Sequence, residues 1–243
     1  MGISAALGPA KQLYVRGTRA AGTVLTKAHV LPEEAPPINQ RTKHWAFTLT
    51  RVHDSMALAE LDVPWWTYSA IEAVETWIAD RSQAQGTVRA YEYGSGASTF
   101  WLSRRVTEVQ SVEHHRGFGE LMTQKLATRD NVTLRIIEPV ESAHPVIGSA
   151  KEGHGNLDFA DYVNSIDDAA ENFDLIVIDG RAREACLKAS LHRLNPGGLI
   201  VFDNTLRRRY RRAIESTPVA EKRYRGLTPT LPYPDQTSLL TRD

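Results

Sequence analysis

Cysteine is nearly missing: Cys186 stands alone in 243 residues, so no disulfide can close within the chain. That excludes a small disulfide-stapled secreted scaffold and suits a reducing, cytoplasmic setting. An excess of one charge is missing too, because 29 Lys and Arg meet 29 Asp and Glu. A surface that is one continuous field for polyanions is therefore disfavoured, although a local patch remains open. Long apolar runs are absent. Leu175–Ile178 and Leu199–Phe202 fall far short of the about 20 residues a membrane helix needs, so no membrane partner is expected. Internal repeats and low-complexity tracts are lacking as well.

What is present is enough for one sizeable domain with an extra segment, at about 150 residues per domain. A chain of this size buries roughly 70 to 75% of its unfolded surface and needs no staple. Residues 1–60 read as an N-terminal helical extension or arm, and residues 61–243 as the domain. Between Met1 and Leu31 lie four basic residues, Lys11, Arg16, Arg19 and Lys27, with no acid before Glu33. The run is either an address or a helical or disordered arm; a transit peptide is usually richer in Ser than this one, which has only Ser4. LPEEAPP, ending at Pro37, cannot continue a helix and reads as a linker.

Beyond Val63 the hydrophobic period alternates between two and 3.6. VPWWTYSAIEAVETWI places Tyr68, Ile71, Val74 and Ile78 on one helical face, with Ser69 and Glu72 as a capping box after Pro64. Strands are predicted at Thr87–Tyr93, Val106–Val112, Val132–Ile137, Phe173–Ile178 and Gly198–Phe202. Helices are predicted near Ser98–Arg105, Phe118–Thr128 and Ala182–Leu194. Apolar strands separated by helices imply an α/β fold with a doubly wound parallel sheet. Thr237–Thr241 reads as a short last strand pairing antiparallel at or beside the edge.

Chemistry enters at the tip of the first of these strands. In AYEYGSGAST, Glu92 precedes Gly94 and Gly96, and Ser98 or Thr99 can cap the helix that follows. Glycines let the backbone turn tightly and approach a ligand. A dinucleotide loop wants a third glycine where Thr99 stands, and no Gly-Lys-Ser/Thr phosphate loop follows. Alone, the motif is either a ligand loop or a tight strand-to-helix turn. Glu113, 19 residues after Gly94, ends the neighbouring strand, where a carboxylate can accept both hydroxyls of a ribose.

Taken in order, EYGSGAST, SVEHH, NFDLIVIDGR and LNPGGLIVFDN resemble the class I S-adenosylmethionine-dependent methyltransferases. The resemblance spans Pro64 to Asp243 and leaves residues 1–60 unexplained. It implies a mostly parallel, doubly wound seven-stranded sheet with the last strand reversed, and S-adenosylmethionine as cofactor. By the family pattern Glu92 lies near the methionine amino group, and Gly94 and Gly96 lie against the methionine and ribose portion. Glu113 reaches the ribose and His114 lies beside the adenine. Ser95, Ser98 and Asp179 count among the cofactor-binding residues as well.

Asp179 ends the strand Phe173–Ile178, and Asp203 and Asn204 end the next, so three oxygen-bearing side chains share one sheet edge. This resembles the catechol O-methyltransferase group, where such residues hold a divalent ion, and Mg²⁺ would take carboxylate and amide oxygens here. The lysine that group uses as base is Ala182 in this chain, flanked by Arg181 and Arg183. The alternative is that Asp179 caps the next helix and contacts the acceptor without metal, while Asp203 and Asn204 shape a turn. Asp179, Asp203 and His154 are the candidate catalytic residues. His144 and His154 lie in a long polar stretch, 138–171, where an acceptor lid can sit. Arg207, Arg208, Arg209, Arg211 and Arg212, followed by Lys222, Arg223 and Arg225, form a basic cluster that either tracks phosphates or solvates a helix face. Its only nearby stacking aromatics are Tyr210 and Tyr224. No Pro-Pro follows Asp179, which disfavours methylation of an adenine amino group. Cys186 reads as packed inside a helix. The reading is O-methylation of a small polar acceptor, with RNA binding or modification through the arginine cluster as the alternative and a homodimer left open.

Overall fold

The computed structural model describes Gly17, Pro32, residues 34–51 and residues 54–242. The basic run from Lys11 to Lys27 lies outside the described residues. Its helices are α1 (Arg41–Thr48), α2 (Ser55–Glu60), α3 (Tyr68–Gln85), α4 (Ala97–Ser103), α5 (Arg116–Leu126), α6 (Ala160–Asn164), α7 (Arg183–Ser190) and α8 (Arg208–Glu215). Its strands are β1 (Arg89–Tyr93), β2 (Glu108–Glu113), β3 (Val132–Ile136), β4 (Val140–Glu141), β5 (Leu157–Asp158), β6 (Phe173–Ile178), β7 (Leu194–Phe202), β8 (Ala220–Gly226) and β9 (Asp235–Thr241).

Seven strands form one sheet in the order β3-β2-β1-β6-β7-β9-β8. The pairs β1–β2, β2–β3, β1–β6 and β6–β7 are parallel, and β9 runs antiparallel to both β7 and β8. The expected reversed last strand is therefore inserted between two others. Parallel strands bury both faces, and β6 is buried at every position. One apolar cluster, including Trp66, Ile71, Trp101 and Val177, fills one face of the sheet. A second, including Tyr93, Phe159, Ile176 and Phe202, fills the other. The strand β8 escaped the sequence reading because AEKRYRG carries charge on most positions, as a solvated edge strand does.

In α3, Tyr68, Ile71, Val74 and Ile78 are buried as the helical spacing requires. The Ser69–Glu72 capping box does not form. Thr67 is the N-cap residue, Tyr68 N donates to Leu227 O at 3.0 Å, and Glu72 is ion-paired with Arg41 of α1. The helix starts one residue earlier than the box requires, and a carbonyl of a neighbouring loop accepts from its first amide. Residues 41–51 and 54–60 pack onto the rest: Trp45 Nε1 donates to Leu231 O at 2.8 Å, Thr230 N donates to Thr48 Oγ1 at 2.9 Å, and Leu58 is wholly buried.

The tips of β1, β2, β6 and β7 all end on one edge of the sheet. Chain direction across the sheet reverses between β1 and β6, and at such a switch point an open α/β sheet leaves a crevice for ligands. No helix among the described residues is long and apolar enough to cross a membrane.

Candidate active site

At the tip of β1 the backbone makes a turn that only a residue without Cβ tolerates. Gly94 has φ +96°, and a Cβ there would stand 2.6 Å from Gly180 Cα at the tip of β6. A Cβ on Gly180 would in turn meet the Tyr162 hydroxyl and the Tyr93 carbonyl. The two strand tips thus approach backbone to backbone, with Gly94 and Ser95 partly exposed. Gly96 N donates to Thr99 Oγ1 at 2.9 Å and starts α4.

Glu92 lies below this loop and is fully buried. Its carboxylate accepts from Thr99 Oγ1 at 2.5 Å, from Ser111 Oγ at 2.8 Å and from Ser98 Oγ. Burial pushes its pKa up to about 7 against those three hydroxyls, with the Asp179 carboxylate adding to the rise. Glu92 and Ser98 were expected against the cofactor, and the structure places them facing one another beneath the loop. They support the loop from inside.

Glu113, at the tip of β2, is also buried, yet remains ionised. Burial opposes its charge, but donors from His114, His115 and Ser95 outweigh that and hold it below the usual carboxylate range. Oε1 accepts from His114 N at 2.9 Å and His115 N at 2.8 Å. Oε2 accepts from Ser95 N at 3.2 Å and Ser95 Oγ at 3.1 Å, so Glu113 ties the glycine loop to the neighbouring strand. His114 Nδ1 is 2.9 Å from Oε1, without the alignment of a hydrogen bond. The His114 ring meets Phe159 and Tyr162, each at 6.0 Å between centroids.

Past β6 the chain turns through Asp179, Gly180, Arg181 and Ala182, and Ala182 is the N-cap residue of α7 at φ +47°. Asp179 does not cap that helix. Its Oδ1 accepts from Arg183 Nη2 at 2.7 Å, four residues on. The same guanidinium donates to Asp203 O at 2.8 Å, Gly180 O at 3.0 Å and Asp179 O at 2.6 Å, and its Nη1 is 3.9 Å from Asp203 Oδ2. Asp203 Oδ1 accepts from Thr237 Oγ1 at 2.7 Å. Burial raises both carboxyls, and for Asp203 the nearby Asp179 charge raises it further, well above the usual range. Arg183 stays charged, because Asp179, Tyr210 and Asp203 outweigh its burial.

A cavity of about 320 Å³ opens beside this edge, lined in part by Gly180, Arg181 and Ala182 of the β6–α7 turn, by Lys151, and by Arg207 and Arg209 at α8. The polar stretch after β3 forms the β4–β5 hairpin and brings Ser149, Ala150 and Lys151 to this wall. His154 stacks on Phe159 at 6.2 Å, and burial with the charges of Lys151 and Arg181 lowers its pKa, so it is neutral at pH 7. His144 is exposed on the hairpin. Of the basic cluster, Arg211 and Arg223 pair with Glu221, and Arg209 Nε lies 3.4 Å from Glu184. Cys186 is buried in α7, and burial pushes its thiol up.

Residues 91–205 match the family model of a methyltransferase domain. These residues form a methyltransferase domain. Among solved structures, a Klebsiella pneumoniae protein described as a "putative O-methyltransferase" is 19% identical, covers 92% of this chain and 96% of its own, and superposes with a TM-score of 0.53. A methyltransferase-like protein from Silicibacter pomeroyi is 20% identical over 70% of this chain and 84% of its own, TM-score 0.44. An rRNA methylase from Streptococcus thermophilus is 12% identical over 71% of this chain and 96% of its own, TM-score 0.48. A comparison with curated proteins returns no match.

The crevice of the methyltransferase domain fits an adenosyl sulfonium. Gly94 offers a bare backbone turn, and Glu113 offers an ionised carboxylate beside the glycine loop, where it accepts from Ser95. A divalent ion does not fit the other edge. The space between Asp179 and Asp203 holds the Arg183 guanidinium, and Asn204, at φ +57°, turns its amide to Asp235 Oδ2 at 2.9 Å. No group of three or more His, Cys, Asp or Glu side chains suits a metal among the described residues. The sequence reading took Arg183 only as a neighbour of Ala182 and missed its place between the carboxylates. The i, i+4 spacing of Asp179 and Arg183 was the available signal. Lys151 of the cavity carried no local motif at all, whereas Arg209 was visible as part of the arginine cluster.

Proposed function

We propose that this chain moves the methyl group of S-adenosylmethionine to an oxygen of a small polar acceptor, without a metal ion. The cofactor supplies an electrophilic methyl on a positive sulfur. The protein's work is then alignment and deprotonation. Glu113 would accept the ribose hydroxyls, with Gly94, Ser95 and Gly96 along the methionine side and His114 beside the adenine. Asp179 carries the reading. It stands at the tip of β6, one residue before Gly180, which both approaches the glycine loop and lines the cavity, and one of its oxygens is held by Arg183. Burial raises its pKa, which makes its remaining oxygen a base able to take the acceptor hydroxyl's proton as the carbon–oxygen bond forms. Asp203 keeps Arg183 in place from the other side.

RNA as acceptor is less supported, because part of the arginine cluster is spent on Glu221 and Glu184. Titration calorimetry tests the cofactor half: S-adenosylmethionine saturates the protein, and Glu113→Ala weakens it about 10- to 100-fold, the loss of one or two charge-assisted bonds. Asp179→Asn should keep that affinity and lose turnover. Unchanged affinity in the first variant, or unchanged rate in the second, contradicts the assignment.

A further inference from the structure

The cavity beside Asp179 has a charge imbalance that methyl transfer does not explain. Three guanidiniums, those of Arg181, Arg207 and Arg209, line it beside the carboxylate of Glu184. Glu184 Oε1 is 3.4 Å from Arg209 Nε and accounts for that one. Arg181 is largely buried, its Nε has no hydrogen-bond partner, and burial together with Arg183 draws its pKa down. Like charges gathered in one concavity repel, and an anion among them relieves that repulsion.

We propose that this cavity is an oxyanion-binding subsite, and that the methyl acceptor is a small molecule bearing a phosphate or carboxylate group held by Arg181 and Arg207. The acceptor part of this rests on the methyltransferase reading; the anion site itself does not. Guanidinium forks match both oxyanions in two-point contacts. Arg181 and Arg207 also act on Asp179 by charge, so an anion bound by them lies within reach of the proposed base. The volume of about 320 Å³ is that of a small-ligand site. A nucleic acid fits the same arginines poorly. Tyr210 is buried, with the guanidiniums of Arg209, Arg183 and Arg207 at 4.7, 5.5 and 5.7 Å from its ring centroid, so no face is free to stack a base.

Calorimetry on the full chain tests the site with inorganic phosphate and with malonate, alongside S-adenosylmethionine. Saturable binding of at least one anion is expected. Arg181→Gln and Arg207→Gln should each weaken it about tenfold, while Arg212→Gln on the exposed side of α8 leaves it unchanged. Phosphate bound tighter than malonate marks a phosphorylated acceptor, and the reverse order a carboxylate. Arg207 is exposed, so its variant should keep the wild-type circular dichroism and remain informative if Arg181→Gln misfolds. Neither anion saturating the protein, or binding indifferent to Arg207→Gln, overturns the proposal. So does a single-stranded oligonucleotide that binds more tightly than either anion and depends on Arg212. Anion binding without cofactor binding would leave this site standing and remove the methyltransferase reading; the converse would do the opposite.

Discussion

Buried charge at single residues makes the sharpest demands. Glu92 accepts from three hydroxyls, yet its pKa rises from 4.5 to about 7. A carboxyl whose pKa is higher folded than unfolded binds more protons in the folded state across that window. Stability therefore falls as pH rises from about 4.5 to about 7, and the fall is complete above it. At 1.36 kcal/mol per unit the change is on the order of 3 kcal/mol. Urea denaturation at pH 5 and pH 8 should show it in the wild-type protein and show much less in Glu92→Gln. Equal pH dependence in the two proteins would place the titrating group elsewhere.

Arg183 makes the same point with the opposite charge. Its removal in Arg183→Leu leaves Asp179 and Asp203 facing one another in a buried space, at a cost of about 3 to 5 kcal/mol. The denaturation midpoint should drop accordingly. Because the guanidinium stands where a divalent ion would have to sit, the wild-type methyl transfer rate should be the same in excess EDTA and in added Mg²⁺. A rate that collapses in EDTA and returns with Mg²⁺ would mean that Arg183 swings out in solution.

At the scale of elements, the strand tips β1 and β6 act as one part. Gly94→Ala would put a Cβ at φ +96° and 2.6 Å from Gly180 Cα, costing at least about 2 kcal/mol in strain and displaced backbone. The two tips would part, and S-adenosylmethionine affinity should fall well beyond the loss in stability. A variant with wild-type affinity in calorimetry would show that the loop tolerates the separation. This contact was legible as a pair of motifs, EYGSG and IDGR, but the pressing of one glycine on the other was not. Strands with strong period or full burial, β6 above all, could be read nearly to the residue. The polar edge strand β8 and the β4–β5 hairpin could not, since their partners rather than their own residues decide them. Glu113 was legible from its distance to Gly94. The role of Arg183 was not, because it depends on Asp203, 20 residues away across another strand.

For the whole molecule the open question is where the folded body begins. Residues 61–243 were read as the domain, and the extension was left outside it. Yet Phe47 and Leu58 are buried, Ala59 and Phe100 share an apolar cluster, and Arg104 Nη1 donates to Ala59 O at 3.2 Å. Ser55 Oγ of α2 lies 3.8 Å from where a Cβ on Gly96 would stand, so this segment backs the cofactor loop itself. We infer that residues 41–60 belong to the domain. Burying Phe47 and Leu58 contributes about 1.5 to 3 kcal/mol each, a large part of a marginal 5 to 15 kcal/mol. A chain beginning at residue 61 should therefore melt at least about 6 °C below the full chain, taking roughly 2 to 4 °C per kcal/mol at this size. Because α2 abuts α4 and the loop 94–96, the shortened chain should also bind S-adenosylmethionine more weakly below its own melting point. Thermal unfolding followed with and without the cofactor separates the two effects, since a ligand raises the melting temperature only as far as it is bound. Equal melting temperatures and equal cofactor-induced shifts in the two chains would show that residues 41–60 are a passive cover, and that the crevice is complete without them.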